Sequence, residues 1–177
     1  MESFEHIVYS IAVPAQAEEI CILVNSVYRG ENSKKGWTTE AYFLSGIRIT
    51  AEKIKEIINT DNNVILTAIM NNKIIGCVHL EKTGNFCMLG LLSVSVNHQT
   101  FGVGKKIIIK SEEYAIQKFE VNEMRMKVIG RRKELIDYYI RRGYSITGEK
   151  EDFKPGPYVF GDPTDGDLYF ETLSKKL

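Results

Sequence analysis

Gln99, Gly102 and Gly104, followed directly by Lys105 and Lys106, have the types and spacing needed to hold a phosphate group. Glycines at 102 and 104 remove the Cβ atoms that would keep an anion away from the backbone, and the two lysines add charge beside it. The flanking residues predict what must position this turn. Leu92, Val94 and Val96 alternate with Ser93 and Ser95 at the period of a strand, which Asn97, His98 and Gln99 then end. Ile107, Ile108, Tyr114 and Ala115 place apolar groups at helical spacing, so a helix begins near Gly102. Residues 91–110 thus read as strand, tight turn and helix. The N-terminus of such a helix presents unpaired N–H groups and the positive end of its dipole, a setting that suits a pyrophosphate. Two nucleotide-binding patterns do not fit. A P-loop would need Gly where Gln99 stands and Ser or Thr where Lys106 stands, and a dinucleotide fingerprint would need Gly at Ile107.

Gln99, Gly102 and Gly104 match the Gln/Arg-x-x-Gly-x-Gly/Ala signature with which the GNAT acetyltransferase superfamily holds the pyrophosphate of acetyl-CoA. A second landmark, ELIDYYIRRGY at 134–144, resembles the family's Tyr-x-x-x-Gly-Phe/Tyr element through Tyr139, Gly143 and Tyr144. The two motifs stand in the family's order and at about its separation, and the chain resembles a GNAT protein over essentially its whole length. Thr100, Val96 and Arg132 stand where many members carry Gly, Pro and Asn.

The resemblance implies an α+β, three-layer fold: a mixed, mostly antiparallel central sheet, splayed between its two parallel central strands and flanked by helices. It implies acetyl-CoA as co-substrate, no metal, and transfer of the acetyl group to a primary amine by direct attack. The turn from Gln99 through Thr100, Phe101, Gly102, Val103 and Gly104 to Lys105 would hold the donor. Leu92 and Val94 would lie along it on the splayed strand, whose backbone N–H groups at 92–94 would stabilise the oxyanion. Tyr139 would be the general acid for the departing thiolate, since a phenol's pKa of about 10 is near enough to a thiol's to give up a proton as the thiolate forms. Tyr138, about 100° away around the helix, is the fallback. His79 and Glu81 alternate on one strand face and are the candidate bases, directly or through water; both also read as ordinary residues of a strand face. Arg132, with Arg131 and Lys133, either binds a CoA phosphate or forms a solvated first helical turn.

Composition leaves room for this reading. At 177 residues and 44% hydrophobic content, the chain suits one domain with a substantial core over 1–177. Lys plus Arg and Asp plus Glu both number 23, so no overall field recruits nucleic acid or an anionic membrane. Cys21, Cys77 and Cys87 lack CxxC spacing, which argues against a disulfide framework or a zinc site. No apolar run approaches a membrane span and no signal-peptide core opens the chain, so a cytoplasmic protein is expected.

The expected elements are a strand over 4–13; a helix begun by Pro14, with Ile20, Leu23, Val24 and Val27 on one face; a loop over 30–49; and a helix capped by Thr50. A hairpin turning at Asn71–Asn72, the strand before the cofactor turn, a strand over 121–129 and a helix over about 131–142 follow, and two strands close the chain around 144–153 and 168–173. The acceptor falls to the loops. Arg29, Trp37, Thr38 and Glu40 are candidates for recognising a small-molecule or peptide amine, while Asp162, Asp165 and Asp167 either attract a cation or are plain turn residues. A homodimer is compatible with the reading. The alternative function is a non-catalytic acyl-CoA-binding or regulatory module of the same fold, suggested by the lack of an obvious base.

Overall fold

The structure, a computed structural model, describes residues 6–154, 161–164 and 166–177. The expected part of Phe4 in the first strand, that of Asp165 in the acceptor loop and most of the Pro- and Gly-rich late loop lie outside these residues.

In chain order the elements are β1 (Val8–Ile11), α1 (Ala17–Tyr28), α2 (Gly30–Ser33), β2 (Leu44–Ser45), α3 (Ala51–Asn59), β3 (Asn63–Met70) and β4 (Lys73–Thr83). Then come β5 (Phe86–Val94), α4 (Val103–Tyr114), β6 (Glu123–Ile129), α5 (Lys133–Ile140), β7 (Ser145–Asp152), β8 (Asp162–Pro163) and β9 (Tyr169–Lys176). Local chemistry accounts for several of the boundaries. Thr50 Oγ1 accepts the Lys53 N–H at 3.2 Å, the cap expected for α3. Asn71 and Asn72 both have positive φ, 52° and 60°, the conformation that a two-residue hairpin turn demands and that asparagine tolerates.

The main sheet runs β1-β3-β4-β5-β6-β9-β7, and β5–β6 is its parallel pair among otherwise antiparallel neighbours. On one face α1 and α3 bury Ile20, Val24, Ile54 and Ile57 against Ile65 and Cys77. On the other, Val103, Ile107 and Ile108 of α4 and Leu135, Ile136 and Tyr139 of α5 lie in one cluster with Leu66, Val78, Met124 and Met126. This is the expected three-layer α+β arrangement.

Two irregularities of β5 shape the site. Its parallel pairing covers Cys87 with Met124, Met88 with Arg125 and Leu89 with Met126, and then stops, so the two strands splay beyond Leu89. Its pairing with β4 passes from His79–Gly90 to Cys77–Ser93, so Leu91 and Leu92 together oppose Val78 in a bulge. Leu91 carries φ of 52°, a left-handed conformation that costs a non-glycine residue about 1 kcal/mol. The bulge redirects the strand: Cys87 and Leu89 belong to the α4 cluster and Leu91 to the α1 cluster.

The strand expected to reach Val96 ends at Val94, where the chain enters a 3-10 turn over Val96–Phe101. A small β2–β8 sheet, with no counterpart among the expected strands, packs Leu44 with Ile129 and Leu168. Two-residue strands have no period to read.

Candidate functional site

A cavity of about 240 Å³ is lined by Leu92 and Val94 of the splayed strand, by Gln99, Thr100, Gly102 and Gly104, and by Arg132, Leu135, Tyr138, Tyr139 and Arg142. Tyr28, Trp37 and Thr38 complete the lining. The end of β5, the turn into α4, and α5 with its flanking Arg132 and Arg142 therefore converge there. The splay leaves the β6-facing backbone of β5 without a strand partner, and one such group, Leu92 O, accepts from Tyr28 Oη at 2.7 Å.

The turn itself is built as its glycines predict. Gly102 caps α4 with φ of 72°, where a side chain would be strained although the space around it is open. A Cβ on Gly104 would lie 3.0 Å from Tyr138 Oη. Val103, expected along the donor, turns its side chain wholly into the core, so only its backbone can face an anion. Phe101 and Lys105 are exposed and lie outside the lining. Gln99 is occupied differently from the expected phosphate contact. Its Oε1 accepts from Trp37 N at 3.2 Å, and its Nε2 donates to Thr38 Oγ1 at 3.2 Å and to Val94 O at 3.1 Å. Gln99 thus fastens the 37–38 segment to the end of β5.

Tyr139 is buried in the lining, and burial raises its phenol above the ordinary value, with the Tyr28 hydroxyl adding to the rise. Tyr138 also lines the cavity. Its ring lies 4.9 Å from that of Trp37, and the Arg142 guanidinium stacks on it at 3.2 Å from the centroid.

Glu40 anchors the opposite wall. Its carboxylate binds Arg29 through Oε2 and Arg132 Nη1 through Oε1 at 3.1 Å, with Arg48 Nε at 3.9 Å, and Arg132 also donates to Thr38 O. Burial disfavours the ionised form of Glu40, but the charges of Arg132, Arg48 and Arg29 outweigh it and hold the carboxyl below its ordinary value. Of the residues expected to recognise the acceptor, Trp37 and Thr38 reach the cavity; Arg29 and Glu40 form the buried support behind it. Arg132 lines the cavity, but its cation is engaged by Glu40 rather than standing in a solvated helical turn. Removing one partner of a buried ion pair leaves charge uncompensated, so Glu40→Ala is expected to cost about 3 to 5 kcal/mol, read as a fall in Tm on the order of 10 °C. The sign with pH follows from the depressed carboxyl. Its contribution is fully present above about pH 4.3, the unfolded value, and is lost as pH falls through the lower folded value.

His79 and Glu81, the candidate bases, lie outside the lining. His79 is buried, its Nε2 lies 2.7 Å from Asn63 Oδ1, and burial with the nearby Arg48 charge lowers its pKa to about 4. Such an imidazole is a weak proton acceptor. It also predicts a pH dependence: the unfolded chain protonates His79 near 6.5 and the folded one near 4. Between those values the unfolded state binds more protons, so stability falls as pH drops through that window. Chemical denaturation of wild type and His79→Asn across it should show a steeper loss in wild type, by on the order of 3 kcal/mol at the acid end.

Tyr28, Arg48, Leu135 and Arg142 were missed in the sequence. Tyr28 and Leu135 fall at ordinary helix positions with no chemical signal, and Arg48 carries no pattern. Arg142 falls inside the Tyr-x-x-x-Gly motif at an unspecified position. Among the described residues no group of three or more His, Cys, Asp or Glu is placed to hold a metal, and no helix is long and apolar enough to cross a membrane.

The acetyltransferase (GNAT) family model matches residues 24–144. No curated sequence matches the chain significantly. Among solved structures, a GNAT-family acetyltransferase from Streptococcus pneumoniae aligns over 97% of this chain and 99% of its own, at 16% identity and a TM-score of 0.68. An N-acetyltransferase from Staphylococcus aureus Mu50 covers 97% of both chains at 17% identity and a TM-score of 0.72. A protein described as a streptothricin acetyltransferase from Bacillus anthracis, solved with acetyl coenzyme A, covers 69% of this chain and 66% of its own at 21% identity and a TM-score of 0.57. At such identities the likeness is one of fold. The family match spans both motifs and the splayed strands, and the chain belongs to the GNAT acetyltransferase family.

Proposed function

We propose that this protein is an acetyl-CoA-dependent N-acetyltransferase acting on a primary amine of a small molecule or peptide, with 1–177 as its single domain. The observation that carries the proposal is the cavity at the splay, which joins the Gly102–Gly104 turn to Tyr139 in one enclosed space. The residues suit the donor. The first turn of α4 has no earlier carbonyls to satisfy its N–H groups, and the open space at Gly102 leaves an anion room to approach them.

Bound acetyl-CoA would supply a thioester carbonyl. The backbone N–H groups of 92–94, freed from β6 by the splay, would stabilise negative charge on its oxygen, and loss of such a donor costs about 10²-fold or more in rate. Tyr139 would hold the proton destined for the thiolate. Tyr28, pushed up to about 12 chiefly by burial, stays protonated and fixes Leu92 by its bond to the carbonyl. Deprotonation of the amine would fall to water, because the lining contains no carboxylate among the described residues. The free cysteines support a reducing, cytoplasmic setting.

That missing carboxylate also favours the second reading, a module that binds acyl-CoA without turning it over. Thiol release from acetyl-CoA with a panel of amines separates the two. The enzyme frees thiol in an amine-dependent way, and a binder holds CoA with no release above background.

A further inference from the structure

We propose that Arg142 is a further donor-binding residue, which holds the diphosphate of CoA from the side of the cavity opposite the α4 N-terminus. The reading rests on the donor site proposed above. Arg142 lines the cavity, and its Nε–H is buried without a partner among the described residues. Among the described residues its hydrogen-bond partners are both on Tyr138, the main-chain O, which accepts from Nη1 at 2.6 Å, and the ring hydroxyl, and both are neutral. The contrast with Arg132 is informative, since that guanidinium is neutralised by Glu40 and turned to the Thr38 carbonyl. A guanidinium whose Nε–H is buried without a partner, with no carboxylate ion-paired to it among the described residues, gains from an anion that completes it.

Its position names the anion. The Arg142 Cζ lies over the Tyr138 ring at 3.2 Å from its centroid, and the hydroxyl of that ring stands 3.0 Å from where a Cβ of Gly104 would be. The fork is therefore held about one tyrosine's length from the phosphate-cradling turn. A planar guanidinium pairs with phosphate oxygens in the two-pronged way a lysine cannot.

Calorimetry with CoA and with pantetheine, which lacks the phosphates, tests the assignment. Arg142→Met should weaken CoA about 10- to 100-fold and leave pantetheine affinity where it was. Arg142→Lys, which retains the charge and loses the fork, should fall between wild type and Met and carries the test if the Met variant does not fold. Unchanged CoA affinity in a folded variant would overturn the proposal. An equal loss for CoA and pantetheine would do so too, since it assigns Arg142 to the shape of the channel, and so would a rise confined to the amine KM. A wild-type protein that binds no CoA would instead sink the donor-site reading on which this one rests.

Discussion

Replacing Tyr139 by Phe is expected to lower turnover about 10²- to 10⁴-fold, the usual worth of a positioned general acid. The substitution keeps the ring that packs edge-on against Tyr138 and Tyr144, at centroid distances of 5.5 and 5.9 Å, and removes only the hydroxyl. Stability and acetyl-CoA affinity should therefore hold, which assigns the loss to chemistry. Tyr138→Phe is the comparison that sets the register. Tyr138 is also in the lining, and burial raises its phenol while Arg142 opposes the rise. A crippled Tyr138→Phe beside an active Tyr139→Phe would move the proton to the neighbouring residue. Two active variants would leave the phenols without an essential role.

Gly104→Asp should have a comparably large effect, on binding rather than on the chemical step. The new Cβ would come within 3.0 Å of Tyr138 Oη, and the carboxylate beyond it would stand at the mouth of the phosphate turn. Like charge at that distance from a diphosphate should weaken CoA by at least about 100-fold. Pantetheine should lose much less, because the repelled group is absent. Gly102→Asp adds backbone strain, since Gly102 sits at φ of 72°, so Gly104→Asp is the cleaner probe. Full CoA affinity in a folded Gly104→Asp protein would remove the donor from this turn.

The parts of the fold that could be read in the sequence are those whose causes are local. The Asn71–Asn72 hairpin, the Thr50 cap and the turn between β5 and α4 each follow from residues a few positions apart, and the structure has all of them. The splay was expected from the family resemblance, but the β5 bulge left no trace, because Leu91 looks like any other residue of an apolar strand. The acceptor wall is the clearest limit. Arg29, Glu40 and Arg132 each drew attention separately, as a loop cation, a loop acid and a helix-start cation. Their union depends on a hydrogen bond spanning 92 positions, which only the assembled sheet brings about. His79 was misleading for a related reason. Alternation placed it on a strand face, yet the packing of that face against its neighbours decides whether an imidazole is an exposed base or a buried, neutral one. Gln99 carried the family signature correctly while its side chain proved to be holding the 37–38 segment.

The central claim is that the acetyl group passes from CoA to an amine nitrogen in the cavity at the splay. It is tested most directly by following acetyl-CoA labelled with ¹³C at the carbonyl, by NMR, in the presence of enzyme and an amine that promotes thiol release. The account predicts an amide carbonyl signal that grows as the thioester signal decays, one amide for each thiol freed, and that is nearly abolished by Gly104→Asp. A thioester signal that persists while the protein remains saturated with acetyl-CoA, whatever amine is supplied, would contradict it.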